Sequence, residues 1–238
     1  MSETETPLAG GRVTAGVVRV GDTVRRPSPK DGATVHRLLE HLERQGFDGA
    51  PRFLGIDGEG RDILTFLPGG VPGELGHYTD AQLAAASALL RRFHDATIGF
   101  DAVGDGQVMC HNDWGPTNTV FRDDLPYGLI DFDTLAPGLR LRDLGYSAFL
   151  WLDLGNPDYS GEEQVRRLTV FADGYGSPDC TVAEIAVFAV ARQTALASRG
   201  RAEGKTGMAE WAAAAAAWTV ANVTARLTPA GDSPGAGG

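Results

Sequence analysis

Residues 110–133, CHNDWGPTNTVFRDDLPYGLIDFD, constrain the fold more than any other part of this chain. Two short apolar runs, Thr119-Val120-Phe121 and Gly128-Leu129-Ile130, flank the turn-forming stretch Arg122–Tyr127. That alternation predicts a β-hairpin. Asn118 stands just before its first strand and Asp131 just after its second. An antiparallel hairpin brings such ends together, so two polar residues distant in sequence become neighbours. Asp and Asn are common turn residues, and any one of them alone says little. The full set of His111, Asp113, Asn118, Asp131 and Asp133 around one hairpin says more.

The spacing of His111, Asp113 and Asn118, followed by an apolar strand ending in Asp131-Phe132, is similar to the catalytic and metal loops of protein-kinase-like phosphotransferases. That similarity implies a separate role for each residue. Asp113 accepts the proton of an acceptor hydroxyl. Asn118 and Asp131 offer oxygens to Mg²⁺, a hard cation that prefers such ligands. His111 props the loop by hydrogen bonding and is not a base.

With Pro137-Gly138 and Arg142-Asp143-Leu144 added, the segment resembles the aminoglycoside phosphotransferase and choline kinase-like family. The match is close over 105–150, looser over 8–100, and fades beyond 155. It implies an α+β, two-lobe, protein-kinase-like fold. A small β-rich N-lobe spans 1–67 and a larger helical C-lobe spans 68–227, with a disordered tail at 228–238. Asp143 opens a helix and braces the catalytic loop. The donor implied is ATP or GTP with Mg²⁺. The adenine-type base is held by backbone groups of the lobe connection at Phe66, Leu67 and Gly69. The acceptor is a small-molecule hydroxyl, with an aminoglycoside or other amino alcohol as the first expectation. Asp153 and Asp158 are the candidates for binding its ammonium groups, although both read equally well as exposed loop acids.

Upstream, Val17–Val20, the turn Gly21-Asp22 and Thr23–Arg26 predict a hairpin, with Gly at the first turn position. Gly10-Gly11 and Gly16 could let the backbone approach phosphates; a plain flexible turn fits them as well. Residues 1–7 are expected to be disordered. The resemblance calls for a strand lysine paired with a helical glutamate, and this chain departs from it. Arg26 stands at or next to the lysine position, and the helix 34–45 offers Val35 or His36 where glutamate is expected, with Glu40 a turn later. Arginine can still neutralise phosphate, in a bidentate fashion. Pro27 and Pro29 argue against Lys30 as a strand substitute.

Residues 51–57 and 62–67 read as strands. Thr79-Asp80-Ala81-Gln82 and Thr181-Val182-Ala183-Glu184 are capping boxes that open helices. Further helices are expected at 140–152, 162–172 and 208–227; in the last, Trp211 and Trp218 stand on one face as a packing stripe. The net charge of −10 and the lack of a basic stripe argue against nucleic-acid and acidic-membrane partners. Acidity suits a cationic substrate and equally serves solubility. No run of eighteen apolar residues predicts a membrane span. The polar start MSETETPLAG does not read as a signal peptide, and Cys110 and Cys180 read as free thiols, so a cytoplasmic protein is expected. A nucleotide-binding pseudokinase or regulatory binding protein is the alternative, favoured by the altered Lys–Glu pair and disfavoured by the intact Asp113, Asn118 and Asp131. A metal-dependent hydrolase fits less well, because the histidines outside the motif lack ligand spacing.

Overall fold

A computed structural model describes residues 4–8 and 16–227. Gly10-Gly11 and the tail 228–238 lie outside the described residues. Strands β1 (Thr6–Pro7), β2 (Val18–Val20) and β3 (Thr23–Pro27) are followed by helix α1 (Gly32–Arg44), β4 (Phe53–Ile56) and β5 (Arg61–Thr65). The strands form one antiparallel sheet in the order β1-β2-β3-β5-β4. The expected first hairpin is present. Val20 pairs with Thr23 across Gly21-Asp22, and Gly21 has a φ of 59°, the positive value that a tight hairpin turn asks for. β1 differs from the expected disorder of residues 1–7. Thr6 pairs with Arg19 and Pro7 with Val18, and Glu5 accepts a 2.8 Å hydrogen bond from Arg61 Nη2. Two residues are too few to show strand periodicity, and proline is tolerated at a sheet edge. Helix α1 buries Val35, Leu38, Leu39 and Leu42, its apolar stripe.

After β5 the chain passes through Phe66–Gly70 towards the helical lobe. Gly70 exchanges backbone hydrogen bonds of 3.0 and 2.7 Å with Phe121. Gly69 has a φ of 151°, and a Cβ there would collide with the Phe121 carbonyl. Glycine at 69 is therefore required by the close crossing of two backbones.

The larger lobe contains α2 (Asp80–Ala96), β6 (Val108–Cys110), β7 (Thr119–Arg122), β8 (Leu125–Leu129), β9 (Ala136–Gly138), α3 (Arg140–Trp151), α4 (Gly161–Tyr175), α5 (Val182–Ala202) and α6 (Thr206–Thr219). The whole is the expected α+β, two-lobe arrangement. Both capping boxes are formed, at Thr79 and Thr181. Leu83, Leu90, Phe93, Trp114, Phe149 and Phe171 are fully buried at the centre of this lobe. α3 meets α5 so closely that a Cβ on Gly145 would lie 2.6 Å from the Phe188 carbonyl carbon. α6 buries Ala209, Ala212, Ala215 and Ala216. Its tryptophans pack as expected, although neither is fully buried. Trp211 stays 40% exposed while stacking on Phe149, and Trp218 packs partly buried against the core. Small alanines permit the close helix approach that indoles would block. A π-helical turn at Val220–Thr224 then interrupts what read as one helix over 208–227.

The central hairpin is tighter than its sequence suggests. The turn is Asp123-Asp124 alone, with φ of 50° and 61°, and a register shift between Val120 and Phe121 absorbs the extra residue. Asp tolerates the left-handed region that such a turn demands. β9 pairs with β6, although Pro137-Gly138 reads as a turn. No helix among the described residues is long and apolar enough to cross a membrane.

Candidate active site

Two short ladders set the geometry. β6–β9 pairs Cys110 with Ala136, and β7–β8 pairs Thr119 with Leu129. The loop 111–118 runs between them. Ile130 N–H donates to the Asn118 carbonyl at 3.1 Å, so Asn118 and Asp131 sit at the adjoining ends of the hairpin.

Asp143, at the start of α3, organises the loop from beneath and has no exposure to solvent. Its Oδ2 accepts from His111 N–H at 2.7 Å and from His94 Nε2 at 3.0 Å; its Oδ1 accepts from Asn112 N–H at 2.8 Å. Burial works to raise its pKa, yet the hydrogen bond from His94, the neighbouring histidines and the His111 N–H outweigh it and hold the carboxyl below its usual range. Burial likewise holds His94 below its ordinary value, despite the attraction of Asp143. Tyr175 supports His94 with a 2.9 Å hydrogen bond at Nδ1.

His111 is buried and donates through Nε2 to the Ile130 carbonyl at 3.0 Å, tying the loop to the strand end before Asp131. Asn112 takes a left-handed conformation, φ 63°. Its side chain donates to the Thr134 carbonyl at 3.0 Å and accepts from Arg142 Nε at 3.0 Å.

Asp113 accepts from the Tyr146 hydroxyl at 2.9 Å through Oδ1 and from Asn118 Nδ2 at 3.3 Å through Oδ2. Burial, followed by the Asp113 charge, pushes the Tyr146 phenol up, so it stays protonated and donates. Asn118 Nδ2 also donates to the Asp113 carbonyl at 2.8 Å. Both partners are acceptors, which fixes the amide orientation and leaves Asn118 Oδ1 as the oxygen free for a cation.

Arg26, on β3, crosses to the other lobe. Its Nη1 lies 3.2 Å from Asp131 Oδ1, and its Nη2 lies 2.6 Å from both oxygens of Asp133. Burial raises the Asp133 carboxyl, with Asp131 adding to the effect and Arg26 opposing it. His36 does not join Arg26. It bonds Asp62 Oδ1 at 2.9 Å, and Ser28 bonds the same oxygen. The strand arginine thus finds its carboxylates on the loop after β8 rather than on α1.

Two cavities meet here. One, about 250 Å³, lies between the lobes and is lined by Arg26, Phe66, Leu67, Gly69, Asn118 and Asp131 among others. The other, about 240 Å³, is lined by Asp113, Asp131, Asp133, Tyr146, Arg192 and Arg199 among others. Asp131 belongs to both, Asn118 to the first and Asp113 to the second. Among the described residues no group of three or more His, Cys, Asp or Glu is placed to hold a metal by itself. One carboxylate and one amide are enough for Mg²⁺ where phosphates supply further oxygens.

Asp153 and Asp158 line neither cavity. Asp153, φ 49°, accepts from Asn156 Nδ2 at 2.7 Å in the turn after α3, and Asp158 lies in the same turn with its N–H on Asn156 Oδ1 at 2.9 Å. Both belong to one local turn. Tyr146, Arg192, Arg199 and His94 are the residues that sequence reading missed. They arrive on three separate helices, and only the fold brings them to the loop. Cys110 borders the loop but is no nucleophile, because burial pushes its thiol up to about 12.

The sequence pattern of the group described as "Phosphotransferase enzyme family" matches residues 101–184. A trifolitoxin immunity protein of Rhizobium leguminosarum bv. trifolii is 34% identical over 190 residues, covering 70% of this chain and 72% of that relative. Among solved structures, the GDP complex of wild-type aminoglycoside 2'-phosphotransferase-IIIa has a TM-score of 0.56 at 14% identity, covering 96% of this chain and 95% of that one. A macrolide 2'-phosphotransferase from Brachybacterium faecium has a TM-score of 0.55 at 17% identity, covering 84% and 86%. At such identities the structural likeness speaks for the fold alone.

Proposed function

The chain belongs to the phosphotransferase enzyme family, and from that premise we propose that it moves the γ-phosphoryl group of ATP or GTP to a hydroxyl of a small molecule, in the cytoplasm. The observation that carries this reading is the junction of two cavities at Asp131, with Asn118 in one and Asp113 in the other. A donor phosphate and an acceptor hydroxyl could meet there in line.

In this reading the base rests against Phe66 and Leu67. Leu67 has both backbone polar groups unpaired among the described residues, as a base-binding segment requires. Asn118 Oδ1 and Asp131 would hold Mg²⁺, which would supply charge neutralisation at the phosphates. Arg26 would turn its fork from the carboxylates to phosphate oxygens. Asp113 orients the acceptor hydroxyl and takes its proton as the new P–O bond forms. The bond from γ-phosphorus to the bridging oxygen breaks, and the nucleoside diphosphate leaves. Tyr146 holds Asp113 in place and keeps its own proton.

Mg²⁺-dependent nucleotide consumption across a panel of hydroxyl compounds tests the proposal. Consumption that rises with a particular acceptor, and appears as a phosphorylated product, supports it. Tight nucleotide binding with no consumption by any acceptor would favour the binding-protein reading instead. The absence of a lysine–glutamate pair at Arg26 and His36 is the observation on that side.

The metal assignment has its own expected result. Asp131→Ala should weaken nucleotide binding in the presence of Mg²⁺ and not weaken it in its absence, where Arg26 is left with one carboxylate fewer to give up. Asn118→Ala, which removes a neutral ligand, should do the same to a smaller degree. Paired titrations with Mg²⁺ and with EDTA measure both. Equal losses in the two conditions would point to a damaged fold.

A further inference from the structure

Three aspartates, Asp113, Asp131 and Asp133, line one wall of the second cavity, and two arginines line the other. Its carboxylates are already engaged. Asp131 and Asp133 lie against Arg26, and Asp113 accepts from Tyr146 and Asn118. The facing wall is one side of α5, where Arg192, Ala195, Leu196 and Arg199 follow at helical spacing.

Arg192 is half-buried and has no carboxylate within 4.0 Å among the described residues. Its Nη2 donates to the Asn112 carbonyl at 3.1 Å, its guanidinium lies 4.7 Å from the Tyr146 ring centroid, and its buried Nε has no partner. Arg142, also without a carboxylate, holds the other side of Asn112. Arg199 meets Glu203 at 3.2 Å, but both side chains are well exposed, and such pairs contribute little. Burial and the nearby Arg142 both act to lower the Arg192 pKa, which is the mark of a cation lacking its counter-charge. A partly desolvated guanidinium with open donors is costly alone and well suited to a planar or tetrahedral oxyanion.

We propose that the acceptor is a hydroxyl compound bearing an oxyanion, a carboxylate or a phosphate, which Arg192 and Arg199 bind while Asp113 takes the hydroxyl. This rests on the phosphotransferase reading for the hydroxyl and on the arginine wall for the anion.

Four probes of one skeleton separate the possibilities: gluconate, glucitol 6-phosphate, glucitol and glucamine. Calorimetric titration into the full chain should show one of the two anions binding about tenfold or more tightly than glucitol, with glucamine weakest. The preferred anion identifies the oxyanion. Arg199→Gln should weaken that anion by about two- to fivefold and leave glucitol unchanged. Arg192→Gln should do so as well, with its thermal transition checked because Arg192 also touches the loop. Arg199 is exposed, so its variant remains informative if the other misfolds. Glucamine binding as tightly as the anions, no binding by any probe, or unchanged anion affinity in Arg199→Gln would overturn the proposal. The underlying reading fails separately. Anion binding without Mg²⁺-dependent nucleotide consumption would sink phosphoryl transfer and leave the anion site standing. Turnover of glucamine with the anions idle would do the reverse.

Discussion

Asp113→Asn should lower kcat by about 10²–10⁴-fold, the usual contribution of a general base, while nucleotide binding with Mg²⁺ stays near the wild-type value. The substitution keeps the shape of the side chain and an oxygen that still accepts from the Tyr146 hydroxyl. It removes the capacity to take a proton. Asp113 lines the cavity beside α5 and not the one between the lobes, so in the proposed function the loss should fall on turnover. Single-turnover rates and nucleotide titration, measured on the same preparation, separate the two. Wild-type turnover in the variant would remove Asp113 from the mechanism.

Asp143→Ala should produce the largest loss of stability, roughly 3–5 kcal/mol, within what three stranded buried donors at about 1–3 kcal/mol each would cost. At about 2–4 °C per kcal/mol for a chain of this size, that is a fall in Tm on the order of 10 °C. The carboxylate is fully buried and accepts from His111 N–H, Asn112 N–H and His94 Nε2. Alanine strands all three donors away from water. Asp143→Asn should rescue little, because its NH₂ would face one of those donors. The same cluster sets the response to acid. His94 and Asp143 are both held below their ordinary values, so the unfolded chain takes up protons that the folded chain resists. Stability should therefore be full near neutral pH. It should decline first below about 6.5 as unfolded His94 becomes protonated, then further below about 4 through Asp143. Thermal melts across that range test the sign. A melting temperature that rises on acidification would refute the assignment.

The parts of this site that were legible in the sequence are those that the chain places close together. Asn118 and Asp131 bracket one hairpin, and turn chemistry plus two apolar runs sufficed to pair them. The capping boxes at Thr79 and Thr181 announced their helices because their hydrogen bonds are local. Tyr146, Arg192 and Arg199 could not be found that way. Their roles depend on α3 packing against α5, a contact that passes through Gly145 and has no local signal. The strand pair β6–β9 was hidden for a related reason. Three residues ending in Pro-Gly look like a turn until their partner is known. Asp153 and Asp158, which read as ammonium ligands or as loop acids, both sit in the turn after α3, a placement that composition alone could not supply.

The contact of Arg26 with Asp131 and Asp133 has a thermodynamic consequence. Without ligands, the cation and the two carboxylates of the cleft satisfy one another across the lobes. In the proposed function, a metal ion arriving alone must compete with a guanidinium for Asp131, and a nucleotide arriving alone must draw that guanidinium away from two carboxylates. When both arrive, the exchange completes itself: phosphate takes the arginine and metal takes the aspartate. Metal and nucleotide should therefore bind as reciprocal effectors, each tightening the other by the same factor. Arg26→Gln should weaken that coupling while allowing free Mg²⁺ to bind more readily. Titrating each ligand at fixed levels of the other measures the factor, and independent binding in the wild type would count against the exchange. The departure from lysine would then matter less as a missing pair than as a counterion that the protein carries in its own sequence.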